Sequence, residues 1–212
     1  CFDIICAPLH DKNKFKSSDN VIFFEGSLAK VSTNEPTKDI TMIAVGGTNK
    51  HYRFDNNHLI YQISFIINLY SNNNIYIFNS RRTPDSFNKE LDKITKDNAN
   101  ITFVNINNNQ SISIDEVLQK ASTKLISRDS INMIYESLST RGDTYLLDME
   151  DIKSNNKVVK NVNHLIANRK IGYVDTSDII NGISKLKLEK QNSYNDVYAE
   201  VEKVAFEIRK YL

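Results

Sequence analysis

Three short segments carry residues whose types and spacing suit the chemistry of phosphates and sugar hydroxyls. Gly46-Gly47-Thr48-Asn49-Lys50 pairs two glycines, which let a backbone turn sharply and approach a ligand, with a hydroxyl and a cation suited to phosphate. Walker and dinucleotide loops need further glycines, so this segment is neither, and an ordinary strand-to-helix turn accounts for it equally well. Asn79-Ser80-Arg81-Arg82-Thr83-Pro84 offers two successive guanidinium groups, whose planar forks match phosphate or carboxylate, beside Thr83 as a helix cap and Pro84 in a first helical turn. Solvation, or pairing with Asp85 and Glu90, is the plainer role for those arginines. Ser127-Arg128-Asp129-Ser130 leads into Ile131 to Glu136, with Asp129 or Ser130 as cap at a helix start suited to an anion. Glu136 is then a carboxylate able to accept hydrogen bonds from ribose hydroxyls, or simply a solvated glutamate on an amphipathic helix.

What must position these segments is a set of buried strands. Apolar runs occur at Phe2 to Cys6, Val21 to Phe24, Ile40 to Val45, Ile75 to Phe78, Ile101 to Val104, Lys124 to Ile126, Tyr145 to Leu147 and Ile171 to Val174. Most are solidly apolar, as in strands covered on both faces of a parallel sheet. Helix-length stretches separate them: Asp55 to Tyr70, Pro84 to Lys96, Asp115 to Ala121, Ser130 to Thr140, Val158 to Asn168 and Ser193 to Leu212. The alternation predicts an α/β fold with a Rossmann-like, doubly wound parallel sheet over 37–190. Residues 1–36 hold two strands and no completed helix, and are expected to be the remnant of a first α/β domain. The polar, proline-containing stretch from Asn34 to Asp39 is expected to link the two, and 191–212 to form a C-terminal helix. Ligands of such sheets bind beyond the carboxyl ends of the strands, where all three segments fall. Their coincidence favours a nucleotide-diphosphate site.

Composition excludes other classes. The chain has 212 residues, 40% hydrophobic and 25% charged, with a formal net charge of +1, so neither nucleic acid nor an acidic membrane is an expected partner. Its greasiest window, Ile60 to Tyr70, is interrupted by Gln62, Ser64 and Asn68, and no run approaches the roughly 18 residues that span a bilayer. Cys1 and Cys6 point to opposite faces of a strand, a bridge between them is not expected, and a reducing cytoplasm is the natural location. His10, His51, His58 and His164 are scattered without zinc spacing, so no metal is expected. The sequence opens within a strand and without a methionine, which reads as a truncated first domain.

The string resembles the Elm-type mitochondrial fission protein family, also found in bacteria, whose members look like two-domain GT-B glycosyltransferases. The resemblance lies in Pro8-Leu9-His10-Asp11, Asn20-Val21-Ile22, Gly26, the run from Gly46 to Phe54, Ser80-Arg81-Arg82-Thr83-Pro84, and the run from Asp129 to Ser137, which includes Met133. It implies a GT-B-like architecture whose second domain binds a nucleotide-sugar donor. Glu136 would lie near the ribose, the glycine loop and Ser130 near the phosphates, and the final helix would cross back to the first domain. Metal-independent transfer to an unknown acceptor is implied if the chain is active, with no cofactor beyond the donor. His10 and Asp11, after a first-domain strand, are the candidates for acid or base. Departures occur at Thr140-Arg141-Gly142-Asp143-Thr144, where the family pattern has Thr-Gly-Lys-Pro-Val, and around Asn107-Asn108-Asn109, where an Asn-Pro pair is usual. The alternatives are a non-enzymatic scaffold with a protein partner on the exposed interdomain face, or a decayed fragment.

Overall fold

The computed structural model describes residues 3–16, 19–108, 112–180, 186–191 and 197–211, apart from the side chains of His10, Ile179 and Ile180. Two parallel strands, β1 (Ile5–Pro8) and β2 (Val21–Phe24), are joined through a 3-10 helix at Leu9–Lys14. The main sheet follows: β3 (Thr37–Ala44), α1 (Asn56–Leu69), β4 (Asn74–Phe78), α2 (Asp85–Thr95), β5 (Ile101–Val104), α3 (Ile114–Lys120), β6 (Ala121–Ser127), α4 (Ile131–Leu138), β7 (Asp143–Leu147), α5 (Lys157–Ala167), β8 (Gly172–Asp175), α6 (Ser177–Ile180) and β9 (Lys187–Glu189). A last helix, α7 (Glu200–Arg209), lies on β2.

The seven strands run in the order β5-β4-β3-β6-β7-β8-β9, parallel throughout except that β9 is antiparallel to β8. Chain order reverses between β3 and β6, the topological switch point of a doubly wound sheet and the usual place for a ligand crevice. This is the Rossmann-like sheet that the alternating apolar runs predict. One core cluster packs Leu59, Ile63 and Ile66 of α1 and Phe87 and Leu91 of α2 on the sheet. A second packs Val117 and Leu118 of α3, Ile134 and Leu138 of α4 and Leu165 of α5. Covering both faces explains why the strands are continuous apolar runs.

The elements differ from expectation in a few places. β3 begins at Thr37, inside the segment read as linker, because its first residue pairs with Ala121 at the foot of β6. The last helix starts at Glu200, whereas Ser193 was expected; residues 192–196 and 212 lie outside the described set. Tyr198 is not helical because its backbone N–H donates to the Leu138 carbonyl at 2.9 Å and its own carbonyl accepts from the Ser139 hydroxyl at 2.9 Å. The chain before α7 is thus tied to the end of α4, and Ile22, Phe24 and Val204 make a small core where α7 meets β2.

Lys124, in the middle of β6, is fully buried. Its Nζ shares its hydrogens among four oxygens, the carbonyls of Ser137 at 2.7 Å, Thr140 at 3.0 Å and Arg141 at 2.9 Å and the Thr140 hydroxyl at 2.7 Å. Those oxygens surround the carboxyl end of α4, where a cation also meets the favourable end of the helix dipole. Burial pulls the Lys124 pKa from 10.5 down to about 7, with the Asp143 carboxylate opposing. The unfolded chain therefore binds more protons between those values, so this residue makes stability rise with pH across the window and adds no pH dependence below it. Lys124→Met, which leaves buried carbonyls unpaired, is expected to lower unfolding free energy by about 2 kcal/mol or more at neutral pH. It is also expected to flatten the rise above pH 7, measured by urea denaturation at several pH values.

Candidate functional site

The three sequence segments meet at the switch point, and one carboxylate joins them. The Asp129 side chain is fully buried. Its Oδ2 accepts the Gly47 N–H at 2.9 Å and an Arg82 Nη2 hydrogen at 3.2 Å, while Oδ1 accepts the Ser127 hydroxyl at 2.6 Å. The Ser127 hydroxyl in turn accepts the Gly46 N–H at 2.7 Å. The Thr83 hydroxyl donates to the Gly46 carbonyl, and Thr48 N–H donates to the Arg82 carbonyl at 3.2 Å. Burial pushes the Asp129 pKa up, against hydrogen bonds from Ser127 and Gly47 and the nearby Arg82 charge.

This clasp reassigns several side chains. Thr83 does not cap α2: Pro84 holds the cap position without a side-chain bond, and the Thr83 hydroxyl is spent on Gly46 and on the Ser80 N–H at 2.9 Å. Arg82 pairs with Asp129, where Asp85 or Glu90 was the plainer expectation. The glycines approach protein, not open space. A Cβ on Gly46 would come within 2.2 Å of Asp129 Oδ2, and one on Gly47 within 2.2 Å of the Arg82 backbone.

Other predicted site residues are distributed unevenly. Thr48, Lys50 and Arg81 are exposed, Arg82 is half-exposed, and Ser80 is partly buried at the same edge. Ser130 occupies the cap position of α4 without making a side-chain cap bond, so the first-turn amides of that eight-residue helix stay open beside the clasp. Met133 packs against the core cluster. Glu136 stands apart from the clasp, lining a separate cavity of about 210 Å³ with Lys30, Asp115, Gln119 and Thr140. Burial, then the Asp115 charge, raises its pKa. Asp11 ion-pairs with Lys14 at 2.7 Å and with Lys157 of α5 at 3.3 Å, and the His10 side chain lies outside the described set.

Next to the clasp is a cavity of about 570 Å³ that sequence reasoning missed. Arg128, between two clasp residues, reaches into it and pairs with Asp148 at 2.8 Å. Asp148 also accepts from the Thr176 hydroxyl at 2.6 Å and contacts His58 Nε2 at 3.3 Å. Burial pushes the Asp148 pKa up, but the His58 hydrogen bond, the Arg128 charge and the Thr176 hydroxyl outweigh it, and the carboxyl is held below its usual range. One wall is closed by an antiparallel tie, in which Arg53 N–H donates to the Glu150 carbonyl at 2.9 Å and Ile152 N–H to the His51 carbonyl at 2.8 Å. Asn49 shapes that tie by accepting the His51 and Tyr52 N–H groups at 2.6 and 3.0 Å. The signal for this cavity was an Asp-x-Glu-Asp run directly after a buried strand, at 148–151. Among the described residues, no group of three His, Cys, Asp or Glu side chains is placed to hold a metal, and no helix is long and apolar enough to cross a membrane.

Fold and site together define a doubly wound α/β protein with a cross-linked switch point flanked by cations and an open cavity. The chain belongs to the Mitochondrial fission ELM1 family, whose pattern it matches over residues 1–212. No curated protein matches the sequence. Among solved structures, one titled "Crystal Structure of TarM" is similar at 11% identity with a TM-score of 0.38, over 78% of this chain and 36% of that one. A likeness of that extent carries no argument about chemistry.

Removing the Asp129 carboxylate orphans the Gly47 N–H and the Ser127 hydroxyl. Asp129→Ala is expected to cost about 2–3 kcal/mol in urea unfolding, and Gly46→Ala or Gly47→Ala about 1–3 kcal/mol through overpacking. Thr48→Ala, at an exposed position of the same loop, is expected to stay within about 0.5 kcal/mol of the parent.

Proposed function

We propose that this protein binds a nucleotide-sugar at the carboxyl edge of its main sheet and is glycosyltransferase-like, with metal-independent transfer if it acts as an enzyme. The observation that carries this reading is the uncapped start of α4 at the switch point, with the Arg82 guanidinium held beside it by Asp129. Open first-turn amides and the positive end of the helix dipole suit a diphosphate, and no metal is needed to balance it. Arg81 and Lys50, both exposed, and Arg82, paired with Asp129, supply positive charge on adjoining loops. In a transfer reaction that charge would stabilise the diphosphate as it leaves. The resemblance of the Elm-type family to GT-B glycosyltransferases supports the same ligand class.

Glu136 is the least supported member of the set, because its cavity is separate from the clasp. A ribose reaching it would have to extend over the side of α4. A second reading, an interaction protein, draws on one feature: β1 and β2 form a two-stranded parallel sheet apart from the main one, with Leu9 and Leu28 exposed nearby in sequence. So small a sheet is marginal alone, and α7 covers β2 through Ile22, Phe24 and Val204, which leaves the exposed leucines as the surface a partner would take.

Calorimetric titration with UDP, GDP and UDP-N-acetylglucosamine separates the two. Saturable binding is expected, weakened at least tenfold in Arg81→Ala with Arg82→Ala, and Arg81→Ala alone controls for loss of the Asp129 pair. Glu136→Ala reports whether the ribose uses the second cavity. A folded chain that binds none of the three would overturn the nucleotide reading in favour of the interaction protein.

A further inference from the structure

The cavity of about 570 Å³ beside the clasp is lined by a histidine whose ring the protein holds by one nitrogen only. His58 is in the first turn of α1, and Asp148 and Thr176 follow directly on β7 and β8, so this wall stands at the same carboxyl edge as the clasp. Arg128, between Ser127 and Asp129 of the clasp, lines it as well.

Asp148 is fixed through both its main chain and its side chain. Gln62, fully buried one turn along α1 from His58, accepts the Asp148 N–H at 2.7 Å and donates to the Asp148 carbonyl at 3.0 Å. This polar interruption of the apolar window on α1 sets where His58 meets the loop after β7. In the side chain, Oδ1 pairs with Arg128 at 2.8 Å, while Oδ2 accepts the Thr176 hydroxyl at 2.6 Å and meets His58 Nε2 at 3.3 Å. Burial opposes ionisation there, but His58, Arg128 and Thr176 outweigh it and hold the carboxyl below its usual range.

An ionised carboxylate can only accept, so Nε2 carries the hydrogen of a neutral His58 ring and Nδ1 keeps the lone pair. Nδ1 makes no hydrogen bond with any described residue, and the side chain is 30% exposed. A positioned imidazole with one open basic nitrogen, backed by a carboxylate that offsets the charge it gains, has the geometry of a general base. The other charged groups of the lining are Asp55, Glu150, Asp151 and Arg53, so an imidazolium formed there meets more negative than positive charge. Asp11, by contrast, is engaged with Lys14 and Lys157.

We propose that this cavity receives the acceptor of the transfer reaction and that His58, positioned by Asp148, is its catalytic base. The acceptor is an alcohol, or water in its place. Its oxygen bonds to the anomeric carbon of the donor sugar as the bond from that carbon to the diphosphate oxygen breaks. The bonding pair leaves on the diphosphate, and the hydroxyl proton passes to His58 Nδ1. The proposal rests on the nucleotide-sugar reading for its donor.

The test is incubation of the whole chain with UDP-N-acetylglucosamine or GDP-mannose, with water or glycerol as the probe acceptor. Phosphorus NMR follows release of the nucleoside diphosphate, and calorimetry reports donor binding separately. Release is expected from the parent and about a hundredfold slower in His58→Gln, with donor affinity and thermal unfolding unchanged. Added imidazole should restore part of the release in His58→Ala, a rescue that a merely structural ring would not permit. Donor binding without release, or release that His58→Gln retains, would overturn the base and leave the nucleotide reading standing. A folded chain that binds neither donor would overturn the nucleotide reading and the base with it.

Discussion

A single buried carboxylate organises the functional edge of this protein. The Asp129 side chain has no contact with solvent, and a carboxyl group so placed is tolerated only when hydrogen bonds and opposite charge replace its hydration. The Gly47 amide, the Ser127 hydroxyl and the Arg82 guanidinium provide them, one from each of three loops that lie far apart in sequence. The loops beyond β3, β4 and β6 therefore hold their positions together. The requirement runs both ways: the carboxylate needs the glycines to have no side chains, and the glycines need the carboxylate to pair their amides, Gly47 directly and Gly46 through Ser127.

The segment 127–130 divides its side chains among distinct tasks as a consequence. Ser127 and Asp129 turn inward to the clasp, Arg128 reaches the neighbouring cavity, and Ser130 begins α4. That helix is treated differently at its two ends. Below, the Lys124 ammonium and the Tyr198 main chain absorb the Ser137 and Leu138 carbonyls. Above, its first amides have no side-chain cap. A helix closed at its carboxyl end and open at its amino end concentrates unpaired donors at the switch point, where a doubly wound sheet places ligands.

The sheet was legible in the sequence because strands covered on both faces must be continuously apolar, and runs such as Ile75 to Phe78 or Leu125 to Ile126 have that character. β9 was not, since three residues on one edge of a sheet leave no periodic signal. Lys124 was hidden within an apolar run, because its long aliphatic stem fits a strand and nothing local announces that its ammonium ends a helix from beneath. The convergence of the three loops was also readable, from the position of each after a strand. Their internal chemistry was not: a glycine pair looks the same whether the group it admits is a ligand phosphate or the protein's own Asp129. Asp148 and Asp151 escaped notice for a similar reason, as acidic residues in a loop ordinarily signify no more than solvation.

The glycine loop is locked by the protein's own groups, while the open donors belong to α4. Residue-resolved amide hydrogen exchange, with and without a nucleoside diphosphate, addresses it directly. The Gly46 and Gly47 amides are expected to be protected in the free protein, comparably to β3, and ligand to slow exchange chiefly at Ile131, Asn132 and Met133. Rapid exchange at Gly47 in the free protein, or ligand protection that appears at the glycines and spares the start of α4, would contradict it.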